Sequence, residues 1–355
     1  MKDKSKTTYE DFALVLAWPD QTARGDEPWM ALLKRAGIVK NLNFRVGHAA
    51  IILVQRSSGS LFYYDFGRYI TPRGYGRARS AASDPRLALS SRAEFDGYGR
   101  INNLDTILAE LHKKEYATHG GGRLFFSVAD RLCYAAAARF AQRMVEGGPV
   151  KYGALARGNN SCSRFVAQIL LNGLQAGHSA RKWIGFPETI KPSPMSNVVN
   201  ASPDKIVYCY HKGKLQRFQM GRRQSLKFQL SLLRDNLSTA KAKRLPCDRK
   251  PGNMKEPKRP SSVPPEAHWL GGIGEGAWYA VEGSPGPESL MVVKYGMDGN
   301  EEYRTSCSAS QPVNPAQPYR FTYHCHYQRH IIVQKNQQIV LLSMPQRTQK
   351  QVRTA

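Results

Sequence analysis

Apolar residues are patterned in two ways along the chain. In the first half they form unbroken runs, Phe12–Trp18 and Val46–Val54; the first predicts a short buried strand stopped by Pro19-Asp20 and the second an apolar strand. Between them, Pro28–Gly37 has proline in its first turn and glycine at its end, which predicts a helix. The second strand is expected to run from Phe44 to Val54. Ser57–Ser60 is a turn, and Leu61–Phe66 returns as the hairpin partner. Residues 67–100, rich in glycine, arginine and serine, are expected to form a long functional loop. Helical patterns follow over Leu104–Lys114 and Ala129–Glu146, with a strand at Arg123–Val128 between them. A further apolar helix opens at Asn160-Ser161-Cys162, runs to Leu171 and is ended by Gly173.

Past residue 265 the texture changes to short alternating strands: 277–281, 290–295, 302–306, 319–327, 331–335 and 339–342. Residues 297–300 and 335–338 serve as hairpin turns. The expected class is therefore α+β: a first domain over 1–210, a basic Pro-rich linker over 211–265, an antiparallel β-meander over 266–345 and a disordered tail over 346–355.

Charge changes this picture in one place. The 355 residues carry a net charge of +25, and residues 212–260 hold 15 Lys or Arg against 3 Asp or Glu. Such a stretch reads first as a solvated linker and second as a weak attractor of polyanions: nucleic acid, anionic lipid or cell-wall polymer. No apolar run approaches the roughly 20 residues that cross a bilayer, and the N-terminus lacks the apolar core of a signal peptide. The expected location is the cytoplasm, with non-classical export left open. Six cysteines without a C-x-x-C pair predict reduced thiols rather than a disulfide frame or a zinc site. His324, Cys325, His326 and His330 resemble a metal cluster, but on a strand they would face opposite ways; neither metal nor cofactor is expected.

Candidate chemistry centres on two segments 114 residues apart. Cys162 stands in the first turn of a helix, where unpaired N–H groups and the helix dipole favour a thiolate. His48 lies in an apolar strand where its ring needs a partner, and it is the candidate base. Asp65, on the hairpin partner strand, is the only carboxylate between Gly47 and Arg79 and could orient the imidazole; pairing with Arg68 or capping the turn at Gly67 is the competing role. Tyr152 is a candidate donor to an oxyanion beside the Cys162 N–H, and His119, in a Gly-rich loop, is the reserve base. Arg68, Arg73, Arg77 and Arg79 would border the cleft and favour an anionic substrate.

The order His, polar residue, Cys resembles the circularly permuted branch of the NlpC-type papain-like cysteine peptidase and acyltransferase superfamily. The resemblance rests on Gly47-His48 in a strand, a polar residue on its hairpin partner, and Asn160-Ser161-Cys162-Ser163-Arg164-Phe165-Val166 opening a helix. It covers roughly residues 40–175. It implies an antiparallel sheet packed on the cysteine helix, and thiol chemistry on an amide, ester or thioester with Cys162 as nucleophile, His48 as base and Asp65 as third member. The chain departs from the family in its long insertion between Asp65 and Cys162, and substrate class does not carry over. The leading expectation is thus a cysteine hydrolase or acyltransferase acting on a peptide, amide or lipid-like substrate. The alternative is a non-catalytic binding module that uses a papain-like scaffold and a basic surface to hold a polyanion or protein partner. A third reading is a delivered antibacterial toxin acting on peptidoglycan.

Overall fold

In the computed structural model, described for residues 8–153, 158–236, 238–283 and 290–344, the chain divides into two units. The first comprises Met1–Arg68, Gly74–Ala81 and Arg86–Pro251; the second comprises Tyr69–Arg73, Ala82–Pro85 and Gly252–Ala355. The tail expected over 346–355 lies outside the described residues.

Among the described residues, ten strands and nine α-helices build the first unit. In chain order they are β1 (Asp11–Trp18), β2 (Thr22–Arg24), α1 (Pro28–Arg35), β3 (Asn43–Arg45), β4 (His48–Gln55), β5 (Ser60–Gly67), β6 (Tyr75–Ser80), α2 (Leu104–Lys113), α3 (Glu115–Thr118) and β7 (Leu124–Leu132). Then come α4 (Tyr134–Glu146), β8 (Val150–Lys151), α5 (Cys162–Gly173), α6 (Ala180–Gly185), α7 (Pro194–Ala201), β9 (Ile206–His211), β10 (Lys214–Gln219), α8 (Arg222–Leu233) and α9 (Thr239–Ala242). Eight strands form one antiparallel sheet in the order β10-β9-β7-β1-β4-β5-β6-β8, and β2 and β3 form a separate ribbon.

The two unbroken apolar runs are the central strands β1 and β4, and they are apolar throughout because both sheet faces are covered. Side-chain alternation sorts them: Ala13, Val15, Ala17, Ala49, Ile51 and Leu53 face one core with Phe165, Val166 and Ile169 of α5. Leu14, Leu16, Trp18, Ala50, Ile52 and Val54 face a second core with Ile107, Leu108 and Leu111 of α2. Burying each such side chain contributes about 1.5–3 kcal/mol, so the sheet's position between its helices is firmly held.

Three expectations change. The strand predicted from Phe44 to Val54 is broken at Gly47, whose φ of +79° turns the chain between β3 and β4; a Cβ there would lie 2.9 Å from Pro19 Cα. The stretch 67–100 is not one loop. It contains β6, a member of the main sheet whose Gly-Arg-Ala-Arg-Ser composition hides its strand character, although five of its six residues are buried. The basic segment 211–265, read as a linker, holds β10, α8 and α9. Asn236 fastens it by accepting from the N–H groups of Lys40 and Asn41 and by donating to the carbonyls of Asn41 and Asn43.

The second unit contains the antiparallel sheet of β11 (His268–Leu270), β12 (Ala277–Glu282), β13 (Leu290–Tyr295), β14 (Glu301–Ala309), β15 (Tyr319–Phe321), β16 (Arg329–Gln334) and β17 (Gln337–Ser343). Its order is β11-β12-β13-β14-β17-β16-β15, and the His268 and Tyr319 rings stand 5.3 Å apart, so the two sheet edges come close to meeting. Lys294, almost wholly buried, is held between Glu275 at 3.2 Å and Glu302 at 2.6 Å.

Candidate active site

Helix α5 begins where its sequence says it should. Ser161, in an extended conformation, is the N-cap: its hydroxyl accepts from the Arg164 N–H at 3.3 Å, while its own N–H donates to Asn160 Oδ1 at 2.9 Å. Cys162 is therefore the first helical residue. Residues 162, 166, 169, 170 and 173 face the core with helical spacing, and a Cβ on Gly173 would meet the Ala137 side chain at 2.8 Å. Close packing of α4 on α5 thus fixes the pedestal under the thiol. Asn197, on α7, donates to the Ser163 carbonyl at 2.7 Å and ties the helix start from another side.

The partner comes from the sheet. His48 is the first residue of β4; it pairs in register with Trp18, and the two rings stack with centroids 5.8 Å apart. By parity His48 belongs with Ala50 and Ile52 on the α2 face, whereas Cys162 belongs to the α5 face. They can meet because a strand's first residue lies at the margin of the sheet, where no further backbone separates the faces. The imidazole hydrogen-bonds the Cys162 thiol, the Ala49 N–H also donates to the sulfur, and Ser163 Oγ is 3.7 Å from it.

Asp65, on β5, is completely buried and its Oδ2 lies 3.5 Å from His48 Nε2. That is an ion-pair distance, longer than a tight hydrogen bond. With Nε2 turned toward Asp65, Nδ1 is the nitrogen left for sulfur. The tighter partner of Asp65 is Arg79 on β6, whose Nε and Nη2 donate at 3.0 and 2.6 Å; Tyr63 OH adds a third contact at 3.2 Å.

Electrostatics follow from this packing. Burial, the largest single influence on each group, opposes charge, but the hydrogen bonds and charges inside the cluster outweigh it. His48 is raised to about 9 by Asp65 and Cys162, Asp65 is lowered to about 2 by Arg79 and His48, and Cys162 is held below its ordinary value chiefly by His48. The arrangement favours proton transfer from the thiol to the imidazole, toward the thiolate–imidazolium pair that is the reactive form of a cysteine nucleophile.

The remaining residues named from the sequence divide. Tyr152 stacks on Phe66 at 6.0 Å and lies under the Arg68 guanidinium at 4.8 Å. Burial and the nearby Cys162 charge raise its phenol, so it stays a proton-bearing donor. Arg68 is buried and 3.9 Å from Asp26. Arg79 is buried against Asp65 and the Ala117 carbonyl, so its guanidinium is committed to that carboxylate. Arg77 is also buried on β6, and Arg73 is exposed in the second unit. His119 occupies the left-handed C-cap of α3. Neither Glu27 nor Lys191 was singled out from the sequence, yet both charges are felt at the site: Glu27 acts on Tyr152 and Lys191, and Cys162 acts on Lys191. No periodicity could have signalled them, because each sits in an irregular segment. Among the described residues no group of three or more His, Cys, Asp or Glu could hold a metal ion.

Residues 13–179 match the family model for Type VI secretion system effector TseH-like proteins. This span begins within β1, ends past α5, and contains His48, Asp65, Tyr152 and Cys162. Residues 267–344 match a second family model, the DUF6695 C-terminal domain. The crystal structure of the Type VI secretion system effector TseH is similar at 17% identity with a TM-score of 0.40, the match covering 59% of this chain and 99% of that one. No curated protein matches. No helix among the described residues is long and apolar enough to cross a membrane.

Proposed function

We propose that the chain is a Type VI secretion effector whose first unit is a cysteine hydrolase of the permuted NlpC-type papain-like kind. The observation that carries the chemistry is the buried cluster of Cys162, His48 and Asp65, with the thiol on a helix N-terminus and the imidazole between sulfur and carboxylate. The likeness of residues 13–179 to TseH-like effectors supports the delivery reading, and the thiol chemistry is taken to act on an amide bond.

The steps follow from the geometry. The Cys162 thiolate adds to the substrate carbonyl carbon, and the oxygen takes the electron pair. The Cys162 backbone N–H, at the positive end of α5, and the Tyr152 hydroxyl are the donors proposed to receive that oxyanion. Collapse breaks the C–N bond, and the His48 imidazolium gives its proton to the leaving amine, which leaves a thioester on Cys162. Neutral His48 then takes a proton from water, the hydroxide adds to the thioester carbon, and collapse releases the acid and the thiolate. Asp65 holds the ring's orientation and stabilises its positive charge.

The test pairs chemistry with biology. Iodoacetamide should label Cys162 faster than a free thiol at mildly acidic pH, and His48→Ala should remove that advantage. Expression directed to a bacterial periplasm should lyse or arrest cells for the wild type and not for Cys162→Ala. Ordinary thiol reactivity together with harmless periplasmic expression would leave the binding-module reading, in which salt-sensitive polyanion binding survives Cys162→Ala.

A further inference from the structure

Beside the site, α6 and the segment that joins it to α7 present apolar side chains to solvent. Trp183 is 41% exposed, Phe186 74% and Ile190 98%. An isoleucine at 98% exposure touches almost nothing; it is a spike and not the wall of a groove, so a rigid concave partner gains little from it, while a soft medium can close around it. The spikes are presented from a held backbone. Arg222, at the start of α8, donates to the Phe186 carbonyl at 2.7 Å, and Thr189 Oγ1 donates to the Lys191 carbonyl at 2.6 Å. The Trp183 indole lies between the Arg222 guanidinium at 4.4 Å and the Lys182 ammonium at 5.0 Å.

Within this stretch of chain the outward-facing charges are cationic. Between residues 179 and 192 the only carboxylate is Glu188. It is turned inward, accepting from Asn200 Nδ2 at 2.9 Å and Ser225 Oγ at 2.6 Å, with Arg222 at 3.7 Å. What faces outward is cationic and apolar together, with a tryptophan at the boundary, a composition suited to the headgroup layer of an anionic bilayer. Lys191, next to Ile190, lies within electrostatic reach of Cys162 and Glu27, which places this segment at the border of the thiol site.

We propose that Trp183, Phe186 and Ile190, framed by Lys182, Lys191 and Arg222, form a docking surface for an anionic lipid bilayer. The apolar side chains enter the acyl boundary and the cations engage lipid phosphates. The proposal does not rest on the hydrolase reading, and it is tested on a chain that cannot catalyse.

The full-length Cys162→Ala protein is sedimented with vesicles of equimolar phosphatidylglycerol and phosphatidylcholine, and with vesicles of phosphatidylcholine alone. Co-sedimentation with the anionic vesicles only is expected, weakening as salt rises. Adding Phe186→Ser and Ile190→Ser should lower the partition coefficient about ten-fold or more. Lys182→Gln with Lys191→Gln should lower it by about ten-fold as well. Tyr98→Ser, at an exposed aromatic elsewhere in the same unit, should leave it unchanged. Lys182, Phe186, Ile190 and Tyr98 are exposed and Lys191 is partly buried, and circular dichroism checks that each variant is folded. Three outcomes overturn the proposal: no sedimentation with anionic vesicles, equal sedimentation by the Phe186→Ser/Ile190→Ser protein, or a self-association in solution that this same double variant abolishes.

Discussion

Arg79 grips Asp65 through two hydrogen bonds, at 3.0 and 2.6 Å, and so holds this carboxylate more tightly than His48 does at 3.5 Å. Both members of this pair are almost wholly buried, so neither is stable without the other. Arg79→Met should cost about 3–5 kcal/mol by leaving a buried carboxylate uncompensated. Urea unfolding measures the loss. An Arg79→Met chain as stable as the wild type would mean that the carboxylate takes up a proton at little cost.

The titration of the cluster sets a stability profile whose signs can be worked out group by group. His48 is raised from 6.5 to about 9, so its contribution is complete below pH 6.5 and is lost as pH rises through 9. Asp65 is lowered from 3.8 to about 2, so its contribution is present above 3.8 and is lost as pH falls toward 2. The lowered Cys162 thiol acts in the opposite sense to His48, its contribution being present above its ordinary value and lost as pH falls. The melting temperature of the first unit should therefore decline as pH falls below 3.8, and His48→Ala should change the shape of the alkaline limb. Differential scanning calorimetry across pH checks both statements.

Gly47 and Gly74 have similar positive φ values, +79° and +85°, but different surroundings. A Cβ at Gly47 would strike Pro19 Cα at 2.9 Å and the Trp18 carbonyl at 3.0 Å, whereas at Gly74 nothing lies within 4 Å. Gly74→Ala should cost only the left-handed strain, about 1–2 kcal/mol. Gly47→Ala should cost more, and it should also slow Cys162 alkylation because it displaces His48. Equal costs for the two substitutions would show that the chain between β3 and β4 yields freely.

Removing Lys294 from the second unit leaves Glu275 and Glu302 facing each other across its place. Lys294→Met should destabilise that unit by about 3–5 kcal/mol. Limited proteolysis should then cut within 252–344 and spare the Cys162 region; protection equal to the wild type would contradict the expectation.

Several features were legible from the chain alone because local chemistry and tertiary structure agree there. The Ser161-Cys162 helix start, the β4–β5 hairpin and most of the C-terminal strands rest on capping, turn residues and alternation, all of which act over a few positions. Strand β6 was not legible. Its Arg79, which composition assigns to a loop, is buried because Asp65 and the Ala117 carbonyl receive it, and such pairing over 14 residues leaves no periodic trace. For the same reason Arg79 could be named but not given its role. The basic stretch past 211 reads as a linker because its charge is conspicuous, whereas what docks it is a handful of scattered residues, Asn236 on the 41–43 backbone, Asp235 on Arg45 and Asp248 on the Leu42 N–H.

His48 and Cys162 stand on elements 114 residues apart, one at a sheet margin and one at a helix start, and their contact exists only when α5 is seated on its core. The thiol's acidity is therefore a property of the assembled unit and not of the helix that carries it. A partly folded chain that keeps its helices but loosens α5 would show an ordinary cysteine, so the alkylation rate at Cys162 reports the integrity of the whole sheet.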